Sequence, residues 1–135
     1  MPKSVRVSDY MADQLVCFTP DMNIFNAVDK LLERNITGAP VLGEKGELIG
    51  ILSQTDCLQN VLKGSFYDDS ADTVAHYMQT EVDTVRVDED IVSVAQKLIR
   101  NRRRRFPVVN SEGKLVGMIT SSDVLRVIRD FAEHR

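Results

Sequence analysis

The chain has 135 residues, 43% apolar and 27% charged, with a formal net charge of −3. That length suits one compact domain able to bury most of its apolar surface. The acidic balance argues against a general nucleic-acid binder, and no apolar run approaches the ~18 residues needed to span a membrane.

The start, Met-Pro-Lys-Ser-Val-Arg, lacks the apolar core of an export signal. Cys17 and Cys57 lie in apolar stretches without metal-ligand spacing, so reduced thiols in a cytoplasmic protein are expected. Charge is uneven along the chain. Residues 68–90 carry Asp68, Asp69, Asp72, Glu81, Asp83, Asp88, Glu89 and Asp90 against Arg86 alone. Lys97, Arg100, Arg102, Arg103, Arg104 and Arg105 follow without an acid among them. Such a cluster reads as one local anion site or as a solvated helix end.

Residues 7–58 and 74–125 are one pattern written twice, 67 positions apart and without a gap. Tyr10-Met11 returns as Tyr77-Met78, and Pro40-Val41 as Pro107-Val108. Gly46, Leu48, Gly50, Asp56 and Leu58 return as Gly113, Leu115, Gly117, Asp123 and Leu125. Fourteen of 52 aligned positions are identical, where composition alone gives roughly three. A repeat this long predicts two similar halves related by pseudo-symmetry. Each half is about 60 residues, marginal alone, so halves packed into one body are expected.

In chain order, Leu15 to Phe18 reads as a short strand, and Val82, Val85 and Val87 read as its second copy. Asn23 and Asp90 stand where a helix N-cap is expected. Ile24, Ala27, Val28, Leu31 and Leu32 then give one apolar helix face, repeated by Ile91, Val94, Ala95, Leu98 and Ile99. Pro-led β runs follow at Pro40-Val41-Leu42 and Pro107-Val108-Val109. Each leads through a Gly turn into Leu48–Leu52 or Leu115–Ile119, which predicts a hairpin. A second helix opens at Ser53 or Thr120, with Leu58, Val61 and Leu62, or Val124, Leu125, Ile128 and Phe131, as its apolar face. Residues 63–73 are acidic and turn-rich and read as a linker, in which Phe66 and Tyr67 serve as a packing anchor. Tyr10-Met11 and Tyr77-Met78 each close a short helical segment onto the core. His76 and His134 read as surface residues, and Cys17 and Cys57 as core fillers.

The order β-α-β-β-α, the Pro-Val entry to the hairpin, and the heptads GILSQTD (50–56) and GMITSSD (117–123) resemble the CBS-domain family in its tandem form, the Bateman module. The resemblance covers about residues 5–130. It implies a mixed α+β fold of two β-α-β-β-α repeats packed with pseudo-two-fold symmetry. Repeat 1 is expected at 1–62, the linker at 63–73 and repeat 2 at 74–135. It also implies a module without chemistry of its own that binds AMP, ADP, ATP or S-adenosylmethionine in clefts between the repeats. In that picture Asp56 and Asp123 hold the ribose hydroxyls, and Ser53 and Thr120 lie nearby at the helix start. Thr37, Gly38, Ala39, Arg104, Arg105 and Phe106 line the same clefts, with Arg104 and Arg105 near phosphate.

General chemistry agrees with that picture. A carboxylate accepts from two vicinal hydroxyls, free N–H groups at a helix start favour an anion, and guanidinium groups fork onto phosphate. Yet Ser53-x-x-Asp56 and Thr120-x-x-Asp123 equally fit a plain helix start, a hydroxyl cap with an acid in the first turn. Repeat 1 has Ile36-Thr37-Gly38-Ala39 where repeat 2 has Arg103–Phe106, so the two clefts should differ; the arginines could serve either. No Ser-His-Asp, Cys-His or paired-carboxylate constellation emerges, so an enzyme is not expected and no cofactor is implied. The expectation is a stand-alone regulatory, energy-sensing module that forms a homodimer and signals to an unidentified partner protein. The alternatives are an interaction module with empty clefts and, less favoured, nucleic-acid binding through Arg100–Arg105.

Overall fold

In the computed structural model, which describes residues 5–13, 15–62 and 72–133, the two copies build the same elements in the same order. A 3-10 turn at Val7–Asp9 precedes α1 (Ile24–Glu33), β1 (Gly38–Leu42), β2 (Leu48–Ser53) and α2 (Gln54–Leu62). A short α3 (Val74–Tyr77) precedes β3 (Val85–Arg86), α4 (Ile91–Arg100), β4 (Arg105–Val109), β5 (Leu115–Thr120) and α5 (Ser121–Glu133). The fold is mixed α and β, as the sequence pattern predicts. The linker residues 63–71, with Phe66 and Tyr67, and His134 lie outside the described residues.

Both hairpins are antiparallel and equivalent in register. Gly38 faces Ser53 and Val41 faces Gly50; Arg105 faces Thr120 and Val108 faces Gly117. Each carries an irregularity at the same place, Val41/Leu42 and Val108/Val109. Gly46 and Gly113 turn the hairpins with φ of +80° and +76°, a conformation that strains a residue with a Cβ. The strand expected at Leu15–Phe18 is reduced to Phe18, which bridges Val41 in parallel. Its counterpart β3 is two residues long and runs parallel to β4.

Helices α1 and α4 bury most of the stripes read from their spacing. Ile24, Ala27 and Leu31 enter one core and Ile91, Val94 and Leu98 the other, but Leu32 and Ile99, expected on the same faces, are exposed because they lie at the edge of each stripe. Asn23 caps α1, accepting from the Phe25 N–H at 2.8 Å. Asp90 occupies the cap position of α4 but makes no side-chain capping bond. There the Ile91 N–H donates to the Val5 carbonyl at 3.0 Å, as Ile24 does to Asp72 at 3.1 Å.

The apolar faces expected on the second helices need correction. Leu58, Leu62, Leu125 and Ile128 are exposed, whereas Val124 is buried and Phe131 packs on the core as expected; Cys57, read as a core filler, is buried, and so is Val127. The first turn of each helix is fixed by its aspartate, and that rotates the neighbouring residue, Cys57 or Val124, inward.

The compact units cut across the repeats. One comprises residues 16–82, the other residues 1–15 with 83–135. The first core therefore contains Phe18, Val41 and Leu52 together with Val74 and Tyr77 from the start of the second copy. The second contains Val85, Phe106, Val108, Ile119 and Val127 together with Val7 from the start of the first copy. Tyr10 and Tyr77 thus do close short helical segments onto a core, but the core is built by the other copy.

Glycines in the heptads admit these segments. Ile51 and Gln79 exchange backbone hydrogen bonds at 2.9 and 2.8 Å, and Ala12 and Met118 do so at 2.9 Å. A Cβ on Gly50 would stand 2.8 Å from the Gln79 carbonyl oxygen, and one on Gly117 would stand 2.9 Å from that of Ala12. Real Cβ atoms do not approach so closely, so the glycine of each heptad serves packing.

Candidate functional site

Asp56 and Asp123 are buried carboxylates, 5% and 8% exposed, each in the first turn of a helix. Burying an acid costs stability unless hydrogen bonds compensate it, and both are compensated in the same way. The Ser53 N–H and hydroxyl each donate to Asp56 Oδ2 at 2.9 Å, and the Asp56 N–H donates back to Ser53 Oγ at 3.1 Å. The Thr120 N–H and hydroxyl donate to Asp123 Oδ2 at 2.9 and 3.0 Å, and the Asp123 N–H returns to Thr120 Oγ1 at 3.2 Å. This is a reciprocal capping ring, so the plain helix-start pattern is present at both sites.

The ring commits one oxygen of each carboxylate. The other, Oδ1, meets a different group in each unit. Gln79 Nε2 donates to Asp56 Oδ1 at 3.0 Å. Arg126 Nη1 pairs with Asp123 Oδ1. A carboxylate oxygen has room for two donors, so each Oδ1 keeps acceptor capacity beyond its side-chain partner.

The residues before each proline reach the same place. The Gln54 N–H donates to the Thr37 carbonyl at 2.8 Å, and the Ser121 N–H to the Arg104 carbonyl at 2.9 Å. With the hairpin register, this sets Thr37-Gly38 beside Ser53 and Arg104-Arg105 beside Thr120. Thr37 and Arg104 are exposed, and Arg105 is half-buried.

Ala39 and Phe106, expected as lining residues, are 1% and 0% exposed and belong to the cores. Both strands are buried on both faces at this point. Lys97 seals Phe106 from outside, with Nζ 5.6 Å from the ring centroid and a 2.6 Å bond to the Thr84 carbonyl. Several of the N–H groups expected to be free for an anion are already engaged. Those of Ser53, Gln54 and Asp56, and of Thr120, Ser121 and Asp123, are taken by the ring and by the carbonyl before the strand. Among the remaining arginines, Arg103 pairs with Asp83 at 3.0 Å, and Arg102 is exposed with a φ of +54° at the end of α4.

Gln79 and Arg126 were not singled out by the sequence reading. The i,i+3 relation of Asp123 and Arg126 on one helix was available. Gln79 lies 23 positions from Asp56, in the next copy, and no local pattern announces it. Cys57, next to Asp56, is buried; burial pushes its thiol above the ordinary value, and the Asp56 charge adds to the shift. Among the described residues no cluster of three or more His, Cys, Asp or Glu could hold a metal, and no helix is long and apolar enough to cross a membrane.

The sequence model of the CBS domain matches residues 7–63 and 74–130. Protein MJ1225 of Methanocaldococcus jannaschii is 30% identical over 122 residues, covering 90% of this chain and 42% of that protein. The chain thus spans less than half the length of that relative. CBSX2, a CBS-pair protein of Arabidopsis thaliana solved in complex with AMP, aligns with a TM-score of 0.83 at 28% identity, covering 94% of this chain and 98% of its own. The CBS domain pair of protein MJ0100, solved with 5′-methylthioadenosine and S-adenosyl-L-methionine, gives 0.78 at 25% identity, covering 93% of this chain and 97% of its own.

Proposed function

This chain belongs to the CBS-domain family, and on that premise we propose that it is a regulatory module binding an adenosine-containing ligand at Asp56 and Asp123. The observation that carries the reading is the buried carboxylate at each helix start, with Oδ2 locked in the capping ring and Oδ1 still able to accept. A fixed acceptor of this kind suits a ribose diol. The AMP bound by CBSX2 and the S-adenosyl-L-methionine and 5′-methylthioadenosine bound by the MJ0100 pair support the ligand class. AMP, ADP and ATP are the leading candidates, with S-adenosylmethionine next.

The module acts by population shift. Ligand stabilises one arrangement of the chain, and a partner protein, not yet identified, reads the difference. In this reading the role is binding and not catalysis. Leu32, Leu58, Leu62, Ile99, Leu125 and Ile128 are exposed apolar residues on helices. They support a homodimer, whose light-scattering mass would be about twice 15.2 kDa at micromolar concentration. The free thiols of Cys17 and Cys57 suit the cytoplasm.

A thermal-shift series with AMP, ADP, ATP and S-adenosylmethionine tests the reading. A ligand at 100 times its Kd adds about 2.7 kcal/mol, which raises Tm by several degrees in a domain of this size. A melting curve unmoved by all four at millimolar concentration rejects the sensor. One observation favours the second reading, an interaction module with vestigial sites: the capping ring is complete without any ligand. That reading predicts the unmoved curve.

A further inference from the structure

The two carboxylates differ in what holds their second oxygen. Asp123 Oδ1 is paired with a guanidinium, Arg126, from the next turn of its own helix. Asp56 Oδ1 is held by a neutral amide, Gln79. The difference is written into both copies. The position equivalent to Arg126 is Gln59, and the position equivalent to Gln79 is Ala12. One site therefore balances its buried acid internally, while in the other the carboxylate forms no ion pair among the described residues.

We infer that Arg126 is a specificity-determining residue of the Asp123 site, reserving its carboxylate for ligands that bring an anion to receive the displaced guanidinium. The inference rests on the reading of Asp123 as the ribose acceptor. A diol that takes Asp123 Oδ1 competes with Arg126 for the same oxygen. For an uncharged nucleoside the exchange loses a charge-assisted bond and returns the guanidinium to water. A nucleotide carries its phosphate close to its own diol, so the same guanidinium moves from carboxylate to phosphate and a charge-assisted contact is kept.

The placement allows that move. A helical side chain leans over the turn N-terminal to its own Cα, which brings Arg126 back over the start of α5, where Thr120 and Asp123 lie. Its side chain is 52% exposed while that of Asp123 is 12% exposed, so the arginine is the partner free to rearrange. At Asp56 the diol displaces only an amide, or shares Oδ1 with it, so phosphate charge matters less there. The Asp123 site is the nucleotide-selective one, and the Asp56 site accepts nucleosides and nucleotides more evenly.

Site-resolved titration tests this. The backbone amides of Ser121–Val124 and of Gln54–Cys57 are followed by NMR during addition of AMP or adenosine, in the wild-type chain and in Arg126→Gln. At the Ser121–Val124 amides the wild type binds AMP about tenfold or more tighter than adenosine. Arg126→Gln, which installs the residue type of the other copy, lowers that ratio by about tenfold. It does so partly by tightening adenosine, because the competitor for Oδ1 is gone. Arg126→Lys keeps a charge and retains an intermediate ratio. The Gln54–Cys57 amides report the same affinities in every variant, which also certifies folding. An Arg126→Gln chain that binds adenosine no better, with the ratio unchanged, overturns the inference while leaving the sensor reading intact. Shifts with neither ligand at either set of amides overturn both.

Discussion

Gln79 donates to the buried Asp56 carboxylate at 3.0 Å although it belongs to the start of the other sequence copy. The candidate site in that unit is therefore assembled from both copies. Gln79→Ala removes a donor from a buried charged acceptor, which costs about 1–3 kcal/mol when no replacement is found. Because Gln79 is exposed and water can partly replace it, the lower end is expected in urea denaturation. Gln59→Ala, on an exposed helix position, should change stability by less than about 0.5 kcal/mol. Equal effects from the two would mean that the Gln79 bond contributes nothing.

Gly50→Ala and Gly117→Ala each push a Cβ against a backbone carbonyl of the segment laid across the hairpin. Overpacking of this kind costs roughly 1–3 kcal/mol. Hydrogen exchange should localise the damage, with faster exchange at Gln79 and Ile51 in the first variant and at Ala12 and Met118 in the second. Both variants matching the wild type in stability and exchange would refute the packing role given to these glycines.

The strand-helix-hairpin-helix order, the Gly turns and most of the stripes of α1 and α4 were readable because each is a local consequence of spacing. So was the pairing of hydroxyl and acid at 53–56 and 120–123, since a capping ring is contained in four residues. What the spacing did not carry was partner choice. Val7, Tyr10 and Met11 resemble Val74, Tyr77 and Met78, and nothing in either stretch says which copy's core it enters. Cys57 and Val124 were read as buried, but the outward turn of Leu58 and Leu125 was missed for a related reason. Hydropathy favours leucine inside, but the carboxylate two residues earlier had already fixed the helix rotation. The burial of Phe106 and Ala39 was not read either, because adjacency to a motif says nothing about how deeply a strand residue is covered.

Burial holds the thiols of Cys17 and Cys57 above the ordinary 9.0. The folded chain therefore keeps these protons more tightly than the unfolded chain does. Their contribution to stability is whole below about pH 9 and is lost as pH rises through the folded values. The urea midpoint should stay level up to about that pH and then fall. In Cys17→Ala/Cys57→Ala the fall should be shallower. An identical decline in the double variant would assign the alkaline loss to other groups.

Arg104 and Arg105 stand beside Thr120, whereas Arg103 is paired with Asp83 and Arg102 ends a helix. Charged hydrogen bonds are worth about 1.5–3 kcal/mol each. Replacing Arg104 and Arg105 with Gln should therefore weaken AMP tenfold or more in calorimetry and leave adenosine nearly unchanged. The same change at Arg102 and Arg103 should do little. Small and equal effects from the two double variants would mark the whole run as a solvated helix end.

The central claim is that a ligand's ribose is held by Asp56 or Asp123, and a crystal structure of the protein with saturating AMP tests it most directly. The account predicts both ribose hydroxyls at one of these carboxylates, with O···O distances of about 2.5–2.7 Å for a charge-assisted bond, and the capping ring through Oδ2 still intact. A structure in which AMP is absent at saturation, or bound with its diol facing away from both aspartates, would contradict it.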